Sequence, residues 1–181
     1  MRLSRIFLPV GLTVLLVSFA VTAQRKSRTA KSVPPAVALA KVEAINTEGL
    51  KNLIQKPRTK ALLLNFWATW CDPCREEFPE LVKLDSEFRP ATMDFVTVSL
   101  DDVEDIKTKV PKFLTNMKAT MPAYLLSVSD PEPAINAVDP SWQGDLPATF
   151  LYNEKGEIIF KHFGRLDTNE LREAIKKLAA N

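Results

Sequence analysis

Ala61-Leu62-Leu63-Leu64-Asn65-Phe66-Trp67 runs through Ala68-Thr69 into Trp70-Cys71-Asp72-Pro73-Cys74 and on to Arg75-Glu76-Glu77-Phe78-Pro79. The first seven residues are almost continuously apolar, the pattern of a central strand covered on both faces. From Arg75 to Phe88 the apolar residues Phe78, Leu81, Leu84 and Phe88 recur at helical spacing. The two cysteines therefore fall where a buried strand ends and a helix begins. Free N–H groups and the dipole at a helix start stabilise an anion, so Cys71 is predicted to be an exposed thiol of low pKa. Cys74, one turn inside the helix, is predicted to be buried and less acidic. Two intervening residues let the sulfurs close a small disulfide across the first turn. Attack by Cys71 on a partner disulfide would give a mixed disulfide that Cys74 resolves. Pro73 suits the first helical turn, where its missing N–H would have no partner anyway.

Two other readings of the pair are weaker. The chain has only these two cysteines and one histidine, His162, so a four-ligand zinc site of Cys and His cannot be assembled. A purely structural disulfide would close a loop too short to remove much chain entropy.

Working outward, the chain alternates strands and helices. Val42 to Ile45 reads as an edge strand and Thr47 to Gln55 as a short helix. Met93 to Leu100 reads as a second buried strand. Asp101 to Met117 reads as helical with a break at Pro111, and Ala123 to Val128 as a short strand. Asp130 to Asp145, with Pro131, Pro133 and Pro140, is expected to be irregular. Pro147 to Tyr152 and Glu157 to Phe163 form a hairpin around Asn153-Glu154-Lys155-Gly156. Asp167 caps a last helix with the stripe Leu171, Ile175 and Leu178. Strand–helix–strand first, then hairpin and helix, implies an α/β fold: a mixed sheet with helices on both faces.

The run Asn65 to Pro79, with Leu146-Pro147-Ala148-Thr149-Phe150, Gly156 and Phe163-Gly164, resembles the thioredoxin superfamily. Within it the chain is most similar to the exported TlpA/ResA-like thiol–disulfide oxidoreductases. The resemblance spans about Val42 to Asn181. It implies a thioredoxin-like fold with an insertion between the active-site helix and the cis-Pro loop. It implies that Pro147 is cis and faces the cysteine pair, leaving the backbone of Leu146 to pair with an extended substrate peptide. It also matches Pro79 to a kink in the active-site helix. By the same resemblance the substrates are disulfide-bearing proteins, with apocytochrome c as one candidate. Electrons would come from a membrane thiol donor of the CcdA/DsbD type. No cofactor is implied.

An acid–base partner is argued separately. Thioredoxin carries a buried Asp on the strand before its motif, and the matching residue here is Asn65, which does not titrate. Glu77 lies three residues after Cys74, so the two share a helical face. It also falls on the stripe of Leu81 and Leu84, so burial and a raised pKa are expected. A carboxylate there would take the proton of Cys74, and the TlpA/ResA branch carries a Glu at this offset. Glu76 and Glu80 are read as solvated, and Asp85 as structural. Trp70 is expected to shield Cys71 and contact partners. Trp67 is assigned to the core. Trp142 is left open between core and substrate surface. His162 is read as an ordinary strand residue.

The N-terminus is of a different kind. Met1 to Arg5 carries two arginines and no acid, and Ile6 to Ala23 has no charged side chain. Residues 1–23 are therefore expected to be an export signal or a retained membrane anchor. Residues 24–42, with five basic residues and Pro34-Pro35, read as a linker. What remains, residues 43–181, holds 17 basic against 22 acidic residues, a net charge of −5 beneath the formal +2 of the whole chain. Nucleic acid is not expected as a partner. The expected place of action is the periplasm or the outer face of the cytoplasmic membrane. A copper-delivery module on the same fold would need three residues between the cysteines and a His in the loop before the hairpin. Here the spacing is two, and that loop ends in Leu146-Pro147. A peroxidase would need a reactive Cys in a Thr-rich loop with an Arg partner, which the sequence lacks. Action as an oxidant of thiols stays open, because direction is set by reduction potential.

Overall fold

The computed structural model describes residues 39–89 and 91–179. The expected export segment and nearly all of the linker lie outside the described residues. Six strands form one sheet: β1 (Val42–Ile45), β2 (Ala61–Trp67), β3 (Met93–Ser99), β4 (Ala123–Leu126), β5 (Ala148–Tyr152) and β6 (Ile158–Phe163). Their spatial order is β1-β4-β3-β2-β5-β6. The first four in that order run parallel, and β5 and β6 complete the sheet antiparallel. This is the mixed sheet expected from the chain order of strands and helices.

Every residue of β2 is buried, as the central position of an unbroken apolar run demands. Side chains alternate across the sheet and feed two layers. Leu62, Leu64 and Phe66 pack with Phe150, Tyr152 and Trp142 beneath α1 (Thr47–Gln55) and α4 (Glu132–Val138). Leu63, Phe95 and Leu151 pack on the other face against Leu81 and Leu84 of α2 (Asp72–Phe88) and Leu171 and Ile175 of α5 (Thr168–Ala179). At the upper end of that second face Trp67, Phe78 and both cysteines meet Val110 and Leu114 of α3 (Lys109–Asn116).

The helix after β2 begins at Asp72, so the motif itself makes the first turn, with proline at its start, as expected. Two expectations are corrected. The break in the segment after β3 falls at Thr108, between a 3₁₀ turn (Val103–Lys107) and α3, and not at Pro111. Pro111 stands in the first turn of α3, where a backbone N–H has no helical partner to lose. The segment from Asp130 is not irregular throughout, for α4 occupies Glu132–Val138 with its prolines at the N-terminal end. Trp142 belongs to the core: it is buried, its ring lies tilted 4.6 Å from that of Phe66, and it donates from Nε1 to the Asp145 carbonyl at 2.9 Å.

Phe150 touches Phe66, Trp142, Tyr152 and Phe163 and is wholly buried. Phe150→Ala should lower unfolding free energy by about 3–5 kcal/mol in urea titration, through lost burial and the cavity left behind.

Candidate active site

Strand β2 ends at Trp67, whose carbonyl accepts the Leu100 N–H at 2.8 Å. The turn that follows is held from the neighbouring strand. Asp101, buried just beyond β3, accepts the Thr69 N–H on both oxygens, at 2.9 and 3.1 Å, and also accepts the hydroxyls of Thr69 and Ser99. The Cys71 N–H reaches back to the Ala68 carbonyl at 3.2 Å. Cys71 thereby becomes the N-cap of α2, in extended backbone geometry, and its Sγ accepts the Cys74 N–H at 3.3 Å. A sulfur in that position faces the unpaired donors of a helix start, which favours a thiolate in the reduced protein.

Cys71 and Cys74 form a disulfide across this first turn, with Cα atoms 5.3 Å apart. Cys74 is fully buried, as expected. Cys71 is not exposed as expected: only 5% of its surface reaches solvent, because the sulfur is turned into its own helix. Trp70 next to it stands 66% exposed. Asp72 is exposed and pairs with Arg75 at 3.3 Å.

The register of β5 on β2, with Ala148 opposite Phe66, sets Leu146 and Pro147 at the same end of the sheet as the cysteines. The Leu146–Pro147 peptide is cis. Leu146 packs on the cluster that contains both cysteines, and its backbone precedes the strand ladder, which begins at Ala148. The Pro147 carbonyl accepts the Gly164 N–H at 2.8 Å, where Gly164 has φ +83°.

Glu77 is buried on the inner face of α2, and its neighbour Glu76 is exposed in an ion pair with Arg165 at 2.9 Å. Glu77 Oε2 accepts the Leu166 N–H at 2.9 Å, from the loop between β6 and α5. Oε1 has no partner in hydrogen-bond geometry. Burial pushes the Glu77 carboxyl up to about 7, while the Leu166 N–H, the Asn65 amide and the Arg165 charge pull the other way without overcoming it. A carboxyl titrating there exchanges a proton with a thiol at neutral pH at little cost. Asp85 is equally buried but is paired with Arg89 at 2.7 Å and with Thr120, in keeping with a structural role. His162 lies on β6 with Nε2 2.9 Å from the Arg165 carbonyl. Sequence reasoning missed Asp101 and Leu166. An acid directly after a buried strand was the available signal for the first. The second offers only a backbone N–H, which no residue type announces.

A profile of the AhpC/TSA family matches residues 35–161. The chain is 32% identical over 127 residues to the thioredoxin-like protein YneN of Bacillus subtilis, covering 70% of each. It is 30% identical over 114 residues to the thiol-disulfide oxidoreductase ResA of the same organism, covering 63% of this chain and 59% of that one. The matched part thus spans between about six and seven tenths of these relatives' length. Among solved structures, StoA of Bacillus subtilis superposes with TM-score 0.52 at 28% identity, over 66% of this chain and 84% of that one. A thioredoxin-like protein solved in the oxidized form gives 0.57 at 19% identity, over 70% and 82%, a likeness of fold alone.

The buried carboxyl gives a signed prediction. Its pKa is about 7 folded against 4.5 in the unfolded chain. The group therefore favours the fold fully below about pH 4.5, and this contribution is lost as pH rises through about 7, by about 3 kcal/mol in all. Glu77→Gln should flatten that part of the stability–pH curve, read by urea unfolding at pH 4, 6 and 8.

Proposed function

The chain belongs to the AhpC/TSA family, and on that premise we propose that it is a thiol–disulfide oxidoreductase working through the Cys71–Cys74 pair. The observation that carries this reading is the disulfide closed across the first turn of α2, with Cys71 Sγ at the N-cap. Relatives named as thiol-disulfide oxidoreductases support it.

In the reducing direction the Cys71 thiolate attacks one sulfur of a substrate disulfide. A Cys71–substrate S–S bond forms, and the other substrate sulfur leaves as a thiolate. The Cys74 thiol passes its proton to Glu77, and the new thiolate attacks Cys71 Sγ. This closes the Cys71–Cys74 disulfide and expels the second substrate sulfur, so two electrons have moved to the substrate. Glu77 then releases its proton to solvent, and a dithiol donor restores the pair. In the reverse direction the protonated Glu77 returns the proton to Cys74. Trp70 supplies apolar contact, and the backbone beside Pro147 receives the substrate chain as an added strand.

The reading extends to place and partners. The apolar segment 1–23 carries the domain out of the cytoplasm, as a cleaved signal or an anchor. There, disulfide-bearing proteins, apocytochrome c among them, are the substrates. A membrane thiol donor of the CcdA/DsbD type supplies electrons, because the periplasm is kept oxidising.

Cys71→Ser should abolish disulfide reduction, and Cys74→Ser should accumulate mixed disulfides with envelope proteins, read by non-reducing electrophoresis and mass spectrometry. Absence of any trapped partner would overturn the proposal. A reduction potential near that of thioredoxin, about −270 mV, fixes the reductase direction, and one near about −120 mV would make the protein an oxidant.

A further inference from the structure

Strands β2 and β3 run parallel, with Trp67 level with Ser99. Two residues beyond each, the chains are joined again, by the Asp101 side chain. Its Oδ2 lies 2.9 Å and its Oδ1 3.1 Å from the Thr69 nitrogen, and Oδ1 also accepts the Thr69 hydroxyl at 2.5 Å. On its own strand Asp101 is fixed by Ser99, whose hydroxyl donates to Oδ2 at 2.5 Å and accepts the Asp101 N–H at 3.0 Å. Every group on this side chain is a donor, so both oxygens accept, which a carboxylate allows and an amide does not. Asp101 is buried, and a buried carboxylate needs such donors. What it holds with them is the residue two before Cys71.

The turn around Cys71 is otherwise lightly tied. The Cys71 N–H reaches the Ala68 carbonyl at 3.2 Å, at the long end for such a bond. The sulfur is placed by the Cys74 N–H at 3.3 Å and by the disulfide itself. Reduction removes the covalent link. The position of Cys71 Sγ against the donors of α2 then depends on where the backbone of the turn lies.

We propose that Asp101 is a positioning residue for the nucleophile: by gripping Thr69 it keeps Cys71 at the N-cap of α2 once the disulfide is open, so that the reduced sulfur stays a stabilised thiolate. This role rests on the oxidoreductase reading above. Asp101 performs it against its own charge, because a carboxylate near a thiol disfavours the thiolate. The elements that meet at Cys71 carry other charges. On α2 these are Asp72, paired with Arg75, and the buried Glu77, with Glu76 held by Arg165 of the loop after β6. The 3₁₀ turn and α3 bring Glu104, Lys107, Lys112 and the Asp105–Lys109 pair, with Asp102 just before them. Leu146 and Pro147 before β5 are uncharged. None of these grips the turn as Asp101 does.

The two possible actions of Asp101 on Cys71 have opposite signs. If its charge dominated, removing it would lower the titration midpoint of Cys71. If its grip dominates, removing it raises the midpoint, because the sulfur drifts from the helix donors. The test follows the ultraviolet absorbance of the thiolate against pH in the full reduced chain, with Cys74→Ser so that one thiol remains. In Asp101→Ala the midpoint should rise by about one pH unit, the size of a lost hydrogen bond to a charged group. Thr69→Ala removes one contact and leaves the charge in place, and should raise the midpoint by less. Added to Asp101→Ala it should change nothing further, since both act through one bond network. Thr69→Ala carries the test alone if Asp101→Ala does not fold. Asp101→Asn keeps one acceptor for the Thr69 N–H and should titrate below Asp101→Ala. A purely structural role would lower stability in urea and leave the midpoint where it was. An unchanged or lowered midpoint in the folded variants therefore overturns the proposal. Failure of the oxidoreductase reading would show differently, as a wild-type chain that neither captures nor reduces a disulfide, while the thiol midpoints remain measurable.

Discussion

The end of β2 carries the constraint on which the rest of the molecule depends. Between Trp67 and Asp72 the chain passes from a strand buried on both faces to a helix whose N-cap is a sulfur. A strand can stop there only if its last backbone groups are taken up, and a helix can start there only if its first donors find an acceptor. The neighbouring strand meets the first need, through Leu100 and the carboxylate of Asp101. Cys71 meets the second with its own side chain. The atom proposed to be the nucleophile is thus also a structural part of the helix that activates it.

The same helix sorts its carboxylates by direction. Glu76 and Glu77 are adjacent in sequence, yet one lies in solvent against Arg165 and the other beneath the helix against a backbone N–H. The 100° turn between successive helical residues does this without any special device. Burial then sets the chemistry. The exposed acid is a surface ion pair of small energetic weight, and the buried one is brought close to the pKa range of a thiol.

Much of this was legible in the sequence. The apolar run of β2 and the stripe Phe78, Leu81, Leu84 specified the central strand, the helix and the buried face on which Glu77 sits. The residues that escaped did so for physical reasons. Prolines at 131 and 133 look like helix breakers, but at a helix start they cost nothing, so α4 was hidden. The burial of Cys71 depends on the sulfur turning into its own helix, which spacing alone does not dictate. The partner of Glu77 is a backbone group 89 residues away, and main-chain donors carry no residue-specific mark.

That separation has a consequence for how the protein is made. The two thiols leave the ribosome long before Leu166 exists, so a nascent chain carries its cysteines with no buried carboxyl beside them. Only when the last loop docks does Glu77 gain the Leu166 N–H that it accepts. The order of synthesis therefore places the cysteine turn first and the backbone donor of Glu77 last.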